Sequence, residues 1–243
     1  MTYETAIVSD AGARPVNQDY ASHAAAPAGE MCWALADGLG GHGGGERASR
    51  IAVEAVLAAF LAAPGVEPDA LRGFVGSANR AVVEAQRADP TLAQMRTTLT
   101  ILAAAGSRAA WAHAGDSRLY HLRDSRIVFQ TRDHSFAQSL ADTGQITPSA
   151  IRFHDDRSRL LRTVGTPDCQ PDVGGPAAVS PSDAFLLASD GFWEPVTEAE
   201  IEIEYAKAAT AQAWLDGMVR RIRARRLADQ DNYSAVAVFA LPT

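Results

Sequence analysis

The chain has 243 residues, of which 47% are hydrophobic and 21% charged, so it is long enough to bury one sizeable core. Its formal net charge of −7 argues against nucleic acid as a partner, because non-specific binding to phosphates needs a basic surface. The longest apolar stretch, 51–63, contains Glu54 and stops at Pro64, so we expect no membrane segment.

The N-terminal half combines short strands with two helices. Its first ten residues lack the basic and apolar segments of a secretion signal, so we expect a cytoplasmic protein. Apolar runs predict strands at 5–9 and 31–36. Apolar residues recur at helical spacing over 46–63 and 69–88, which predicts two helices that pack as neighbours.

The middle of the chain changes to strand patterns. Four apolar runs between 97 and 131, with turns at 106–107 and 123–125, predict an antiparallel meander. Residues 133–178 are polar and rich in turn residues, so we interpret them as irregular, with a flap-like segment at about 135–165. Within them, Thr147 and Pro148 have the residue types of a helix start.

The last third returns to helices and ends in a strand. A strand is predicted at 184–188, a capping box at Thr197 and Glu200, a longer helix at 209–227 and a final strand at 234–240. Helices early and late around a block of strands indicate an α+β fold, because each sheet face must be buried against something. We expect one domain over 1–243.

Three aspartates lie next to apolar strands. Asp37 in WALADGLGG and Asp190 in FLLASDGFW follow a strand, whereas Asp231 in DQDNYSAVAVFA precedes one. If the last strand runs antiparallel to the others, the three carboxylates meet at one edge and repel one another unless cations lie between them. Each aspartate alone could be a turn residue. Together they favour a paired site for Mg²⁺ or Mn²⁺, and Cys32 and Cys169 lack the spacing of a zinc site.

Six ordered segments resemble one known family, the metal-dependent serine/threonine protein phosphatases of type 2C in their compact bacterial form. The segments are SDAGARPVNQDY, ADGLGGHGGGERAS, TTLT, AHAGDSRLY, LLASDGFWEPV and DNYSAVAV. The resemblance spans nearly the whole chain. It implies two packed antiparallel β-sheets flanked by helices on both outer faces, with metal ions in a cleft at one end.

The resemblance also implies which residues hold the metals. Asp37 matches the carboxylate that bridges two ions, and Gly38 matches the residue that offers its backbone carbonyl. Asp190 and Asp231 match the other carboxylate ligands. Asp116 matches the position that holds a third, weaker ion, although as a single residue it could also be a hairpin-turn aspartate.

Three more residues match catalytic positions. Arg14 matches the arginine that grips the substrate phosphate, Asp19 the acidic residue that orients it, and His42 the candidate general acid for the departing alkoxide. Outside this context Arg14 could be a surface arginine and His42 a loop residue. The chain departs from the family at Gln18, where a glutamate is common, and in a Gly12–Arg14 spacing one residue shorter than usual.

The expected function is therefore hydrolysis of phosphoserine and phosphothreonine by a hydroxide bridging two Mn²⁺ or Mg²⁺ ions, without a phosphoenzyme. The expected partners are phosphorylated protein substrates and an opposing serine/threonine kinase, and we expect a monomer.

Three other interpretations remain at this point. Gly38, Gly40 and Gly43 fit a dinucleotide-binding pattern, but that fingerprint needs an acid at the end of a second strand, where this chain has helices. A pseudophosphatase that binds phosphoproteins without turnover is the second alternative. The arginines over 220–226 could dock an acidic partner or form a solvated helix face.

Overall fold

The structure, a computed structural model, describes residues 1–40 and 44–242. Its strands are β1 (Thr2–Asp10), β2 (Asp19–Ala25), β3 (Met31–Leu39), β4 (Arg96–Thr97), β5 (Leu99–Ala105), β6 (Arg108–Ala114), β7 (Arg118–Arg123), β8 (Arg126–Gln130), β9 (Asp172–Ala178), β10 (Ala184–Ala188) and β11 (Tyr233–Leu241). Its α-helices are α1 (Gly44–Ala62), α2 (Pro68–Ala88), α3 (Phe136–Asp142), α4 (Asp190–Trp193), α5 (Glu198–Lys207) and α6 (Ala211–Arg225). Two 3-10 helices cover Pro90–Leu92 and Pro148–Phe153.

The strands form two antiparallel sheets. One has the order β1-β11-β10-β7-β8, and the other has the order β2-β3-β5-β6-β9 with β4 paired to β3. The two strands that flank the later carboxylates, β10 and β11, are direct antiparallel neighbours, with Ala188 opposite Ala235. The end of β10 and the start of β11 therefore lie side by side.

Three apolar clusters define the layers. Trp33, Leu187 and Val236 belong to the cluster between the two sheets, which excludes water from the middle of the sandwich. The second cluster packs α1 and α2 onto the six-stranded sheet, and the third packs α5 and α6 onto the five-stranded sheet. The expected arrangement of two sheets with helices on both outer faces is confirmed, because each sheet needs an apolar cover on its second face.

Most predicted elements are present with small shifts at their ends. The two early helices contact each other as expected, with the Phe60 and Phe74 rings edge to face at 6.0 Å. The capping box is confirmed, since Thr197 and Glu200 each bond the other's backbone at the start of α5. Within the described residues, no helix is both long enough and apolar enough to cross a bilayer.

The prediction of a single meander over 97–131 is wrong. Strands β5 and β6 pair in one sheet and β7 and β8 pair in the other, so the segment is two hairpins. The chain changes sheets at Gly115, whose φ of +110° is open to glycine and strained for other residues.

The interpretation of 133–178 as irregular is also wrong in part. The segment contains α3, the 3-10 helix Pro148–Phe153 and the edge strand β9, which pairs with β6. Thr147 and Pro148 do stand at a helix start, although the Thr147 side chain makes no capping hydrogen bond. Ala137 and Ile151 are buried in the cluster under the five-stranded sheet, so the flap-like segment packs against the core.

Candidate metal centre

Asp37 lies near the end of β3, at one end of the sandwich, and its backbone is fixed from both sides. Its N–H donates to Thr98 Oγ1 at 2.9 Å, while its carbonyl accepts from Thr98 N at 2.8 Å and Thr97 Oγ1 at 2.7 Å. Both threonines are buried. The TTLT segment thus holds Asp37 in place, a role that the sequence did not indicate.

Gly38 follows in a position that admits no side chain. Its N–H donates to the carbonyl of Gln18 at 3.1 Å, and a Cβ here would collide with the backbone of Gly45 at the start of α1. Close approach of β3 to α1 therefore requires glycine at this position. The Gln18 side chain lies in the same place, donating from Nε2 to the carbonyl of Gly40 at 3.2 Å.

Asp190 and Asp231 reach the same end of the sandwich from β10 and β11. Asp190 is the first residue of the short helix α4, separated from β10 by Ser189, and Asp231 is separated from β11 by Asn232. The Asp190 carboxylate lies within hydrogen-bonding reach of the Asp37 carboxyl group. The structure thus brings Asp37, Asp190 and Asp231 together, although they are far apart in the sequence.

The charges at this end repel one another. Burial raises the pKa of Asp37 well above its usual range, and the charges of Asp19 and Asp190 raise it further. Burial likewise raises the pKa of Asp190, and the charge of Asp231 adds to that shift. Carboxylates this close are disfavoured in their ionised form unless a cation neutralises them.

Asp116 belongs to the same cluster. It is 5% exposed, and burial followed by the charge of Asp190 raises its pKa well above the usual value. Its carbonyl accepts from Trp193 Nε1 at 3.0 Å, and the Trp193 ring stacks on the buried Arg118 guanidinium, 3.4 Å from its centre. Helix α4, which carries Asp190, is thereby tied to the turn that carries Asp116.

Asp19 lies on β2 directly opposite Asp37. It is buried, and its Oδ2 accepts from Ser189 Oγ at 2.8 Å, whereas its Oδ1 is buried without a hydrogen-bond partner. Burial raises the pKa of Asp19 to about 7 despite the Ser189 bond, and the charges of Asp190 and Asp231 add to the shift. An unsatisfied buried oxygen of this kind points to a group that the protein chain does not supply.

Arg14 pairs with Asp231 rather than with Asp19. Its Nη2 lies 3.0 Å from Asp231 Oδ2, and both side chains are about half exposed. Asp19 was expected to orient Arg14, but it faces inward from β2 and bonds Ser189, so Asp231 holds the guanidinium instead. Despite the short spacing after Gly12, Arg14 lies beside the carboxylate cluster.

Asn232 connects the loop that carries Arg14 to the start of β11. Its Nδ2 donates to the carbonyls of Ala11 and Val16 at 2.9 and 3.0 Å, and its Oδ1 accepts from Gln18 N at 2.8 Å. Sequence reasoning assigned no role to Asn232 or Ser189. Both stand next to a predicted metal ligand, which was the available signal.

His42, the predicted general acid, lies outside the described residues. A different group with metal-binding side chains lies elsewhere and consists of His113, His134 and Asp172. Its imidazole rings are stacked at 4.5 Å, and Asp172 is already paired with Arg162 at 2.8 Å and with His134 at 3.3 Å. The arginine thus already supplies the positive charge that Asp172 needs.

The carboxylate cluster fits hard divalent cations. The predicted ligand atoms are all oxygens, from the carboxylates and from the backbone carbonyl of Gly38. Oxygen atoms are the ligands that Mg²⁺ and Mn²⁺ prefer. Burial, and after it the neighbouring carboxylates, raise the pKa values of Asp37, Asp116 and Asp190, which is an environment that a bound cation would offset. Among the residues described, Arg14 is the one cation that pairs with the predicted ligands.

Comparison with known families agrees with this geometry. The model of the protein phosphatase 2C family matches residues 11–232. The chain belongs to this family. The match includes the segments of Arg14, Asp37, Asp116 and Asp190 and reaches past Asp231, so the resemblance seen in the six sequence segments is confirmed.

Curated relatives are serine/threonine phosphatases of bacteria. The serine/threonine protein phosphatase PstP of Mycobacterium tuberculosis is 38% identical over 175 residues, which cover 72% of this chain and 34% of PstP. The match thus spans about a third of that relative's length. Protein phosphatase PhpP of Streptococcus pneumoniae is 33% identical over 205 residues, which cover 82% of each chain.

A solved structure of the same kind extends the likeness to the whole fold. The catalytic domain of PstP in complex with two manganese ions superimposes with a TM-score of 0.85 at 30% identity, covering 99% of both chains. The two-sheet architecture is therefore shared with a phosphatase domain that holds two Mn²⁺ ions.

Proposed function

We propose that this chain is a metal-dependent phosphatase that hydrolyses phosphoserine and phosphothreonine in other proteins. The observation that carries the proposal is the cluster of carboxyl groups from three distant segments, whose pKa values are raised by burial and by one another. A chain keeps such repulsion where a bound cation offsets it.

The ligands we propose for two core ions are Asp37, the carbonyl of Gly38, Asp190 and Asp231, with Asp116 for a third. Bound divalent ions supply two things in phosphate ester hydrolysis, a water of lowered pKa and neutralisation of the charge that develops on the phosphoryl group. The likeness to the manganese-bound PstP domain supports the same choice of metal.

The chain's own residues would bind and orient the substrate. Arg14 is half exposed at the cleft and has two guanidinium edges, so it can hold a phosphate oxygen while Asp231 fixes its position. Asn232 limits the movement of the Arg14 loop. His42 remains the proposed donor of a proton to the departing serine or threonine oxygen.

The pseudophosphatase alternative has no support in these features. A site without turnover has no use for several buried carboxylates at close range, and the relatives are named as phosphatases. By analogy with them we propose phosphorylated proteins as substrates, an opposing serine/threonine kinase, a cytoplasmic location and a monomeric state.

The direct test is hydrolysis of p-nitrophenyl phosphate and of a phosphothreonine peptide with and without Mn²⁺. We expect turnover that depends on Mn²⁺ or Mg²⁺, is lost in EDTA and returns when excess metal is added. Turnover that is insensitive to EDTA, or no turnover of either substrate at any metal concentration, would contradict the proposal.

A further inference from the structure

A second cavity opens beside the carboxylate cluster. It has a volume of about 510 Å³ and shares Arg14, Ser158, Asp190 and Asp231 with the cleft over Asp37. The two spaces therefore adjoin each other at the predicted ligands Asp190 and Asp231. A peptide whose phosphorylated residue lies at the cluster would place neighbouring residues in this side cavity.

The arginines that line the side cavity are already paired within the chain. Arg152 bonds both carboxylate oxygens of Glu198, at 2.8 and 2.6 Å. Arg157 bonds Glu194 at 2.6 Å, and Arg225 bonds both oxygens of Glu200. Since these guanidinium groups have carboxylate partners, the cavity offers an acidic peptide little uncompensated positive charge.

Two apolar residues that line the cavity, by contrast, are exposed to solvent. Phe153 is 78% exposed and Leu227 is 47% exposed, and both line the cavity. We call this pair the apolar lip. Pro195, which is buried, adds further apolar surface to the same cavity.

Hydrogen bonds anchor the backbone segment that carries Phe153. It ends the 3-10 helix Pro148–Phe153, and its neighbour Arg152 donates to the carbonyls of Trp193 and Glu194, both at 2.8 Å. Arg152 thereby fixes this helix to α4, which carries Asp190. An exposed aromatic side chain on an anchored backbone segment next to a cleft is typical of a binding surface.

We propose that the apolar lip is a specificity subsite, which selects phosphoproteins with a large apolar side chain close in sequence to the phosphorylated residue. The inference rests on the proposed phosphatase function and adds a class of substrate sequence to it. The apolar side chain of the substrate would cover Phe153 and Leu227, so the gain comes from apolar surface that is removed from water.

The test compares phosphothreonine peptides on a glycine and serine background. One plain peptide has no apolar residue, and in the others a single leucine occupies each neighbouring position in turn. For the protein with Mn²⁺ we expect kcat/KM to be about tenfold higher at the best leucine position than for the plain peptide, because partial burial of leucine recovers part of its transfer free energy.

Variants then test whether the apolar lip causes the preference for leucine-containing peptides. Phe153→Ala and Leu227→Ala should each reduce the leucine-to-plain ratio, the double variant should bring it close to one, and Phe153→Leu should keep most of it. Loss of folded protein cancels in this ratio, because both peptides are measured on the same sample. The matched control is Val128→Ala, a 54% exposed apolar residue on β8 that lines neither cavity, and it should keep the full ratio.

Three outcomes would overturn the inference. One is a ratio near one at every position while the plain peptide is hydrolysed, and another is a ratio that survives in the double variant. The third is self-association that Phe153→Ala abolishes without any peptide preference, which would assign the apolar lip to a second copy of the chain. Failure to hydrolyse even the plain peptide and p-nitrophenyl phosphate would instead remove the proposed function, and this inference with it.

Discussion

Strand β10 has an aspartate at each end, and the chain surrounds the two differently. Asp183, before the strand, is fully buried and accepts from Arg123 at 2.8 and 2.6 Å, from His121 at 3.1 Å and from Ser180 N at 3.0 Å. Burial raises its pKa, but the hydrogen bonds from Arg123, Ser180 and His121 outweigh this effect and lower it. At the other end, burial and the charge of Asp231 raise the pKa of Asp190.

The comparison shows which of the two buried aspartates has its charge compensated by other residues of the chain. Asp183 has such partners, whereas Asp190 does not. Around Asp183 every buried charge has a partner supplied by the sequence, which is the pattern of a structural site. Around Asp190 the neighbours Asp37 and Asp116 are carboxyl groups as well. The missing positive charge must therefore come from outside, and substitutions at the two ends should have opposite consequences.

The largest expected effect is on activity in Asp190→Asn. Loss of one ligand should reduce kcat for p-nitrophenyl phosphate by about 1000-fold, because metal ions contribute several kcal/mol of charge stabilisation. The metal-free variant should be at least as stable as the original protein, since one repulsive charge is gone.

Urea unfolding in EDTA and steady-state kinetics in Mn²⁺ measure the two quantities. The matched control is Asp216→Asn, at an exposed aspartate of α6 bonded to Gln212, which should change neither. An Asp190→Asn enzyme with normal kcat would place the chemistry elsewhere.

The opposite pattern is expected for Asp183→Asn. It should lower the free energy of unfolding by about 2 to 3 kcal/mol at pH 7, because Arg123 and His121 lose the charge that they bond. Arg123 is 39% exposed, so water offsets part of the loss.

Activity per folded molecule should remain. Asp124→Asn is the control, since Asp124 is exposed and its φ of +50° is one that asparagine tolerates. A stability change no larger than in this control would show that the Asp183 network contributes little.

The carboxyl groups at the two ends of β10 should change the pH dependence of the free energy of unfolding in opposite directions. In metal-free protein the raised pKa values of Asp37, Asp116 and Asp190 mean that the folded state binds more protons than the unfolded state above about pH 4. The free energy of unfolding should therefore rise as pH falls from 8 to 5, by about 1.4 kcal/mol per pH unit for each extra proton.

Asp19, whose pKa is raised to about 7, adds to this rise in stability as pH falls below about neutral. The lowered pKa of Asp183 acts the other way, so its contribution is lost only below about pH 4. Saturating Mn²⁺ should remove the slope between pH 8 and 5. A metal-free protein whose stability falls over that range would contradict the charge cluster.

How much could be predicted from the sequence depends on whether a feature is encoded by residues close together in the chain. Helices α1 and α2 and strands β10 and β11 were predictable because their apolar periodicity is local. The change of sheet at Gly115 was not, since periodicity reports which face of a strand is buried and not which sheet it joins. Strand β9 was missed because its sequence, DVGGPAA, has two glycines and a proline and pairs only at an edge.

Some features of the site could likewise be predicted from the sequence, and others could not. The meeting of Asp37, Asp190 and Asp231 at one cleft could be predicted because each stands in a motif beside a strand. The partners of Arg14 and Asp19 could not, since they depend on how the loop at 11–18 folds over the end of β11. Thr97, Thr98 and Asn232 contribute hydrogen bonds from their side chains to backbone atoms 60 residues or more away, which no local pattern encodes.

The smallest expected effect is at Gln18, where the family resemblance led us to expect a glutamate. The Gln18 side chain lies in the cleft with Asp37 and Gly38 and donates to the carbonyl of Gly40. In Gln18→Glu a carboxylate would face that carbonyl without a proton to donate, so the metal-free protein should lose about 1 kcal/mol of stability.

The added charge should in turn favour cations at the cluster. We expect the Mn²⁺ concentration for half-maximal activity to fall by about threefold to tenfold, because a carboxylate near a divalent ion in a partly solvated cleft contributes on the order of 1 kcal/mol. Gln145→Glu, at an exposed position in the flap-like segment, adds the same charge away from the cleft and should leave that concentration unchanged. If both variants shift it equally, net charge alone is responsible. If Gln18→Glu instead needs more Mn²⁺, the bond from Gln18 to Gly40 matters more to the site than the missing carboxylate does, and the neutral residue is an adaptation of this chain.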